Sequence, residues 1–216
     1  MKGLPMKDLI LILSQYDFYD WEQNENIDQY VLKIGMSADL LADLEAESLY
    51  ESFGVEAVNN EYANPSFSPE KWRELEDQFF IWLKKSINFL FLKGETIVTP
   101  NLKDDWRLNE DWNDENKWML PDYNEYLKML QEENILNLPA SLKDDYRGAL
   151  IENEFEVEKL GRMATKGVHL LFFSNKEMVI SITDYLSLVI HFKNQTLFEC
   201  GKAKLLDLLQ PQILGD

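Results

Sequence analysis

The chain has 216 residues, of which 45% are hydrophobic and 12% aromatic, and this composition excludes an intrinsically disordered protein. Its 39 acidic and 21 basic residues give a formal net charge of −18, and a field of that sign repels phosphate backbones and anionic lipids. The composition therefore argues against direct binding of nucleic acid or of a membrane and favours a basic protein partner, although excess acid can also serve solubility alone.

The acidic residues are concentrated in two blocks. Residues 8–70 hold 14 acids and a single base, and residues 104–158 hold 16 acids and 5 bases. If the charge serves recognition, these two blocks are where a basic partner would bind.

The start of the chain and its cysteine content bear on the cellular compartment. Lys2 and Lys7 precede the apolar run Leu9–Leu13, which is too short for a signal peptide or a transmembrane helix. Cys200 is the sole cysteine, so an intramolecular disulfide and a thiolate metal cluster are both excluded. We therefore expect a cytoplasmic protein without a metal or another cofactor, folded as a single domain over residues 1–216.

Two helices are predicted in the first half of the chain. SADLLADLEAESLYESFG predicts a short helix from Ser37 to Gly54. SPEKWRELEDQFFIWLKKSINFLFLKG predicts one long buried helix over about residues 69–93, which would be about 37 Å long at 1.5 Å per residue. The second half of this helix is apolar nearly all round, with four polar interruptions at Lys84, Lys85, Ser86 and Asn88.

A six-residue motif occurs twice, as LKDDWR at 102–107 and as LKDDYR at 142–147. Each copy follows a proline and has a polar residue three positions before an acid, a pattern typical of a helix start. Because the similarity ends at the arginine, we favour two helix starts over a duplicated binding site.

The stretch DDWRLNEDWNDENKW places three tryptophans six residues apart among acids. On a helix this spacing would carry the indoles around the axis, so they would not form one buried stripe. They are either anchors of a packed loop or contacts for a basic protein or a cation, to which indole faces add cation–π attraction. A calcium loop laid on this stretch has Asn116 where glycine is needed, so we predict no metal. The candidate binding residues are Asp105, Trp106, Asp111, Trp112, Glu115 and Trp118.

The last third of the chain is rich in β-type sequence. VHLLFF and MVISIT flank SNKE, which predicts a hairpin, whereas residues 151–160 and 185–192 fit either a helix or a strand. We therefore predict an α+β fold with a mainly helical N-terminal two-thirds, about residues 1–163, built around the long helix. A small antiparallel sheet would occupy the C-terminal third, about residues 164–216.

Catalytic signatures are scarce. His169, His191 and Cys200 are weak candidates for a thiol–imidazole pair, although hydrogen-bonded sheet histidines and an ordinary apolar-facing cysteine explain them more simply. The sequence lacks phosphate-binding glycine loops, nucleophile elbows and zinc-helix motifs. We predict a non-enzymatic binding protein whose acidic surface engages a basic partner and inhibits it. The alternative is an enzyme or small-molecule binder with a pocket between the long helix and the C-terminal sheet, and the oligomeric state stays open.

Overall fold

The structure is a computed structural model that describes residues 1–20, 25–26, 30–36, 69–101, 104–108, 114–136, 146–184 and 186–213. The helix predicted from Ser37 to Gly54 lies outside these residues.

An antiparallel sheet of eight strands organises the described chain, with the order β1-β6-β5-β7-β8-β9-β4-β10. A separate pair, β2 and β3, lies beside it. The strands are β1 Lys2–Leu4, β2 Tyr19–Asp20, β3 Glu25–Asn26, β4 Val31–Gly35, β5 Thr96–Pro100, β6 Gly148–Leu150, β7 Leu170–Ser174, β8 Met178–Ile182, β9 Ser187–Phe192 and β10 Gln212–Ile213.

The described helices cover both faces of the sheet. They are α1 Met6–Leu13, α2 Pro69–Lys84, α3 Ile87–Leu90, α4 Leu120–Glu132, α5 Glu154–Ala164 and α6 Gln195–Leu209, with a 3-10 helix at Asp114–Met119. Helices α2 to α6 form what we call the helical layer, and their apolar side chains pack with one set of sheet residues. Helix α1 and residues 14–19 cover the opposite face through a smaller cluster that includes Leu9, Tyr16 and Tyr19.

Alternation along the strands explains the two cores. Phe172 and Ile180 point into the helical layer, whereas Phe173 and Val179 belong to the smaller cluster under α1. Since successive side chains of a strand point to opposite faces, a strand buried on both faces is apolar throughout.

The predicted fold class is wrong in its proportions. The sheet is large, and it takes β1, β4, β5 and β6 from the part of the chain that was predicted to be mainly helical. Residues 164–216 therefore do not form a separate sheet region behind a helical one. The physical reason is that strands of three to five residues are too short to show a sustained polar–apolar alternation, and β5, whose five residues are all buried, shows none.

The predicted long helix is interrupted. Helix α2 ends at Lys84, and only the short helix α3 follows before Gly94. At the break Ser86 donates both its backbone N–H and its Oγ–H to the carbonyl oxygen of Leu83, at 2.9 and 3.1 Å. A serine that bonds to the preceding turn in this way competes with the regular helical pattern. The uninterrupted part is 16 residues, about 24 Å, and not about 37 Å.

Three local predictions have clear outcomes. The SNKE hairpin is confirmed, since Asn175 and Lys176 adopt φ values of 53° and 57° between paired strands β7 and β8. Residues 151–160 run into helix α5, capped by Asn153, and the described residues 187–192 form strand β9.

The repeated motif does not begin two helices in the described residues. Residues 104–108 are not helical, and Arg147 directly precedes strand β6. Instead the two copies contact each other, because Trp106 Nε1 donates to the carbonyl oxygen of Tyr146 at 2.7 Å.

Candidate functional site

Trp106 is an anchor of the core. Its side chain is 1% exposed, and the phenol of Tyr126 donates to its carbonyl oxygen at 2.8 Å. Together with the bond from its indole to Tyr146, these contacts tie the 104–108 segment to α4 and to the start of β6. Its indole is therefore not presented to a partner in this structure.

The other residues of the acidic stretch are only partly described. Trp118 is half-buried, and Arg73 donates to its carbonyl oxygen at 2.6 Å while the guanidinium lies 5.9 Å from the ring centroid. Asp105 pairs with Arg107 at 3.0 Å. Glu115 lies in the 3-10 helix, and Asp111 and Trp112 lie outside the described residues, so the predicted contact surface stays a prediction there.

The structure does not bring His169, His191 and Cys200 together. Phe173 and His191 pair with the same residue of β8, so His169 lies about 13 Å along the strands from His191 and two strands away. Cys200 lies on α6, across the sheet from the face where His191 contacts Tyr19. A thiol–imidazole pair therefore does not form, and His169 instead contacts Asp104 at 3.0 Å.

His191 is a buried, neutral imidazole. Its ring lies 4.9 Å from that of Tyr19 in an edge-on arrangement, and its Nδ1 has no hydrogen-bond partner in the described part of the chain. Burial, with a smaller effect from the positive charge of Lys33, lowers the pKa of His191 to about 4.

A buried charge cluster joins three helices of the helical layer. Glu76 on α2 is 1% exposed and accepts from Lys166, Thr165 and Arg162. Lys166 also pairs with Asp122 of α4 at 3.2 Å. Because these groups satisfy one another, the cluster fastens α2, α4 and α5 together and offers no free base or nucleophile.

A cleft lies between α3, α6 and the turn that joins β7 to β8. Its volume is about 450 Å³, and its walls are mainly apolar. Six residues with polar side chains line it as well, namely Lys85, Asn88, Asn175, Glu177, Cys200 and Lys204. The large apolar side chains of the walls are Phe89, Leu92, Met178, Phe192, Leu197 and Leu208.

The lysines of the cleft stand out electrostatically. The ammonium of Lys204 lies 4.2 Å from the ring centroid of Phe89, and Lys85 precedes that phenylalanine by four residues. Among the described residues, neither lysine has a carboxylate within ion-pair distance. The preceding residue, Lys84, by contrast pairs with Glu158 at 3.1 Å.

Sequence reasoning missed Phe89, Lys204 and the cleft walls. The available signal was the polar interruption of the apolar stretch 79–92, since Lys85 and Asn88 both face the cleft. The opposite wall comes from α6, which no local pattern connects with residues 85–92.

A second cavity of about 540 Å³ lies on the other side of Asn88, against the start of α5. Its charged residues include the paired Lys84 and Glu158, so its polar groups already satisfy each other in part. The first cleft is therefore the stronger candidate site.

The described residues limit the chemistry further. They contain no group of three or more histidine, cysteine, aspartate or glutamate side chains placed to hold a metal ion. None of their helices is long and apolar enough to span a membrane.

Comparison of the chain with models of protein families, with curated proteins and with solved structures finds no match. The geometry of the cleft and the charge pattern of the sequence are therefore the basis of the functional argument.

Proposed function

We propose that the protein binds a small, largely apolar ligand in the cleft between α3 and α6. The observation that carries this proposal is the cleft itself, whose volume of about 450 Å³ and mainly apolar walls are those of a small-molecule site. Burying apolar ligand surface against such walls is favourable, and the few polar groups would fix the ligand's orientation.

We propose binding and not catalysis, because the candidate thiol Cys200 has neither histidine as a neighbour. An exposed single thiol also fits the reducing environment of the cytoplasm, which we propose as the location.

Cys200 provides a direct test, since it lines the cleft and is the chain's sole cysteine. The rate at which it reacts with the neutral reagent 4,4′-dithiodipyridine would be measured while octan-1-ol or octanoate is titrated. We expect both probes to slow the reaction in a saturable manner, because an occupied cleft shields the thiol.

The matched control moves the thiol off the cleft. Ala203 is exposed on the same helix and does not line the cleft, so the double variant Cys200→Ala, Ala203→Cys carries the thiol on the outer surface. Its reaction should not respond to either probe. No protection of Cys200 by any probe, or equal protection in the control, would remove the proposal.

The charge pattern favours a second candidate function, the binding of a basic protein. Residues 37–68 contain seven acids and no base, and all residues outside the described ranges together hold 14 acids and 2 bases. The described residues are closer to neutral, with 25 acids and 19 bases. We propose that such a partner would be inhibited by contact with the acid-rich segments, with long-range attraction speeding its association.

Affinity capture from the native lysate at low salt, followed by a salt gradient, tests this candidate. One basic protein should elute at a defined salt step and should be retained less by the variant Asp111→Asn, Trp112→Ala. Asp207→Asn, an exposed change on α6, is the control and should retain it normally. If many basic proteins are captured without a defined salt step, and neither variant changes their retention, the acidic charge would serve solubility.

A further inference from the structure

We propose that the cleft selects a single-chain amphiphile with an anionic head group, of the fatty-carboxylate class. The acyl chain would lie along the apolar walls, and the carboxylate would lie between Lys85 and Lys204. This inference rests on the proposed function, since it names the ligand class of the same cleft.

Among the described residues, no neighbouring carboxylate balances the positive charge of two lysines in the cleft. Lys85 and Lys204 line it without a carboxylate partner among the described side chains. The contact of Lys204 with the Phe89 ring positions its ammonium at the cleft wall but does not neutralise it. A ligand carboxylate would supply the missing charge through charge-assisted hydrogen bonds.

The parts of the chain that form the cleft differ in net charge from the rest of the protein. Although the chain carries −18, residues 71–103 and residues 159–216 each carry a net +2. All the residues that line the cleft come from these two segments. The cleft therefore lies in the positive part of an acidic protein, where an anion is attracted.

The size and polarity of the remaining walls suit an alkyl chain. A volume of about 450 Å³ holds a chain of about ten carbons with its head group, because a methylene is nearly as large as a water at about 30 Å³. The ring of Phe192 makes part of this wall only because residue 201 is glycine, since a Cβ there would come within 2.4 Å of the ring.

Glu177 sets the direction of the ligand. It lies on the turn between β7 and β8, where its carboxylate accepts from the amide of Asn175 at 3.2 Å. A second negative charge would be repelled from this end of the cleft, so the head group is directed toward the lysines. The cleft would therefore not bind a dicarboxylate, which carries a negative charge at each end.

The experiment compares octanoate with octan-1-ol, which share an alkyl chain and differ in the charge of the head. The concentration that halves the reaction rate of Cys200 would be measured for wild type, Lys85→Met, Lys204→Met and Lys202→Met. Lys202 lies on α6 but does not line the cleft, which makes it the matched control.

We expect octanoate to act at about a tenfold lower concentration than octan-1-ol, as one charge-assisted interaction would produce. Lys85→Met and Lys204→Met should each raise the octanoate concentration that halves the reaction rate about three- to tenfold. The corresponding octan-1-ol concentration should change less than twofold, and Lys202→Met should change neither value. Glu177→Gln should lower the octanoate concentration that halves the reaction rate and leave the octan-1-ol concentration unchanged.

The failures are distinguishable. If neither probe protects Cys200, the proposed function itself fails. If octan-1-ol protects as well as octanoate, or if the lysine variants weaken both equally, the cleft binds apolar ligands but the anionic class is wrong. A third measurement tests whether the protein takes its ligand from solution or from a membrane. We propose that it binds free monomers in solution. Sedimentation with phosphatidylcholine vesicles containing oleate should leave the protein in solution, and lysine-dependent co-sedimentation would overturn that assignment.

Discussion

At the scale of single residues, the imidazole of His191 is held in an apolar cluster between the sheet and the segment that carries Tyr19. Its lowered pKa has a direct thermodynamic consequence, because the unfolded chain binds a proton at this residue more readily than the folded one. Tyr19 shares the cluster, and its burial raises the pKa of its phenol, so neither group ionises near neutral pH in the folded protein.

We predict that the free energy of unfolding falls as the pH drops from about 6.5, the ordinary pKa of histidine, to about 4. The contribution of His191 is fully present above this window, and its loss amounts to about 3 kcal/mol below it. His191→Leu should remove this part of the pH dependence in urea titrations at several pH values.

His169→Leu is the control, because His169 is 70% exposed and lies far from His191, so this variant should keep the loss of about 3 kcal/mol that His191 produces. Parallel profiles for wild type and His191→Leu would contradict the prediction.

His191 and Trp106 show how much of a single residue's environment can be predicted from the sequence. The sequence around His191 fitted either a helix or a strand, and the structure shows strand β9 there. The sequence could not predict that its Nδ1 lacks a partner among the residues that the structure describes, or that Trp106 donates to Tyr146, because both facts depend on residues far along the chain.

At the scale of elements, the buried pair Glu76–Lys166 joins α2 to the end of α5. Removing one member leaves the other charge buried without its main partner, which is far more costly than losing an exposed pair. We predict that Lys166→Met lowers the free energy of unfolding by about 3–5 kcal/mol. The double variant Glu76→Leu, Lys166→Met should recover part of this loss, because the uncompensated carboxylate is then gone.

The pair Lys128–Glu132 on α4 is the control, since both side chains are more than half exposed. Lys128→Met should cost no more than about 0.5 kcal/mol in the same denaturant titration. Equal losses at the two positions, or a double variant that is less stable than Lys166→Met, would contradict the role of the buried pair.

The elements that the sequence predicted correctly are those with local signals. The hairpin at 174–177 has Asn175 in its turn, a residue type that tolerates left-handed backbone. The break at Ser86 was missed because apolar residues at helical spacing continue through it. The alternative prediction of a pocket between the long helix and the sheet named none of the residues of α6 other than Cys200, since the two walls of the cleft meet through tertiary packing.

At the scale of the whole molecule, one sheet lies between two hydrophobic cores and contributes side chains to both. Phe172 packs into the helical layer and Phe173 into the smaller cluster, although the two residues are adjacent. Helices on one face therefore depend on strands whose other face is buried by α1. We infer that the described residues unfold as one cooperative unit.

This inference predicts that Phe172→Leu and Phe173→Leu each shift the same single transition, with losses of about 1–2 kcal/mol. Tryptophan fluorescence and far-ultraviolet circular dichroism should give coincident curves in both variants. A second transition, or a shift seen by one probe alone, would show that the two cores unfold separately.

The order of the strands also has a consequence for synthesis. Gly35 of β4 pairs with Ser187 of β9, so at about 5–20 residues per second the ribosome exposes β4 for about 8–30 seconds before its partner exists. An apolar strand without a partner is a template for pairing with other chains. The acid block at residues 8–70 surrounds β4, and like charges on neighbouring nascent chains repel each other. The acidity of the first third of the chain would thus protect the protein before it has folded.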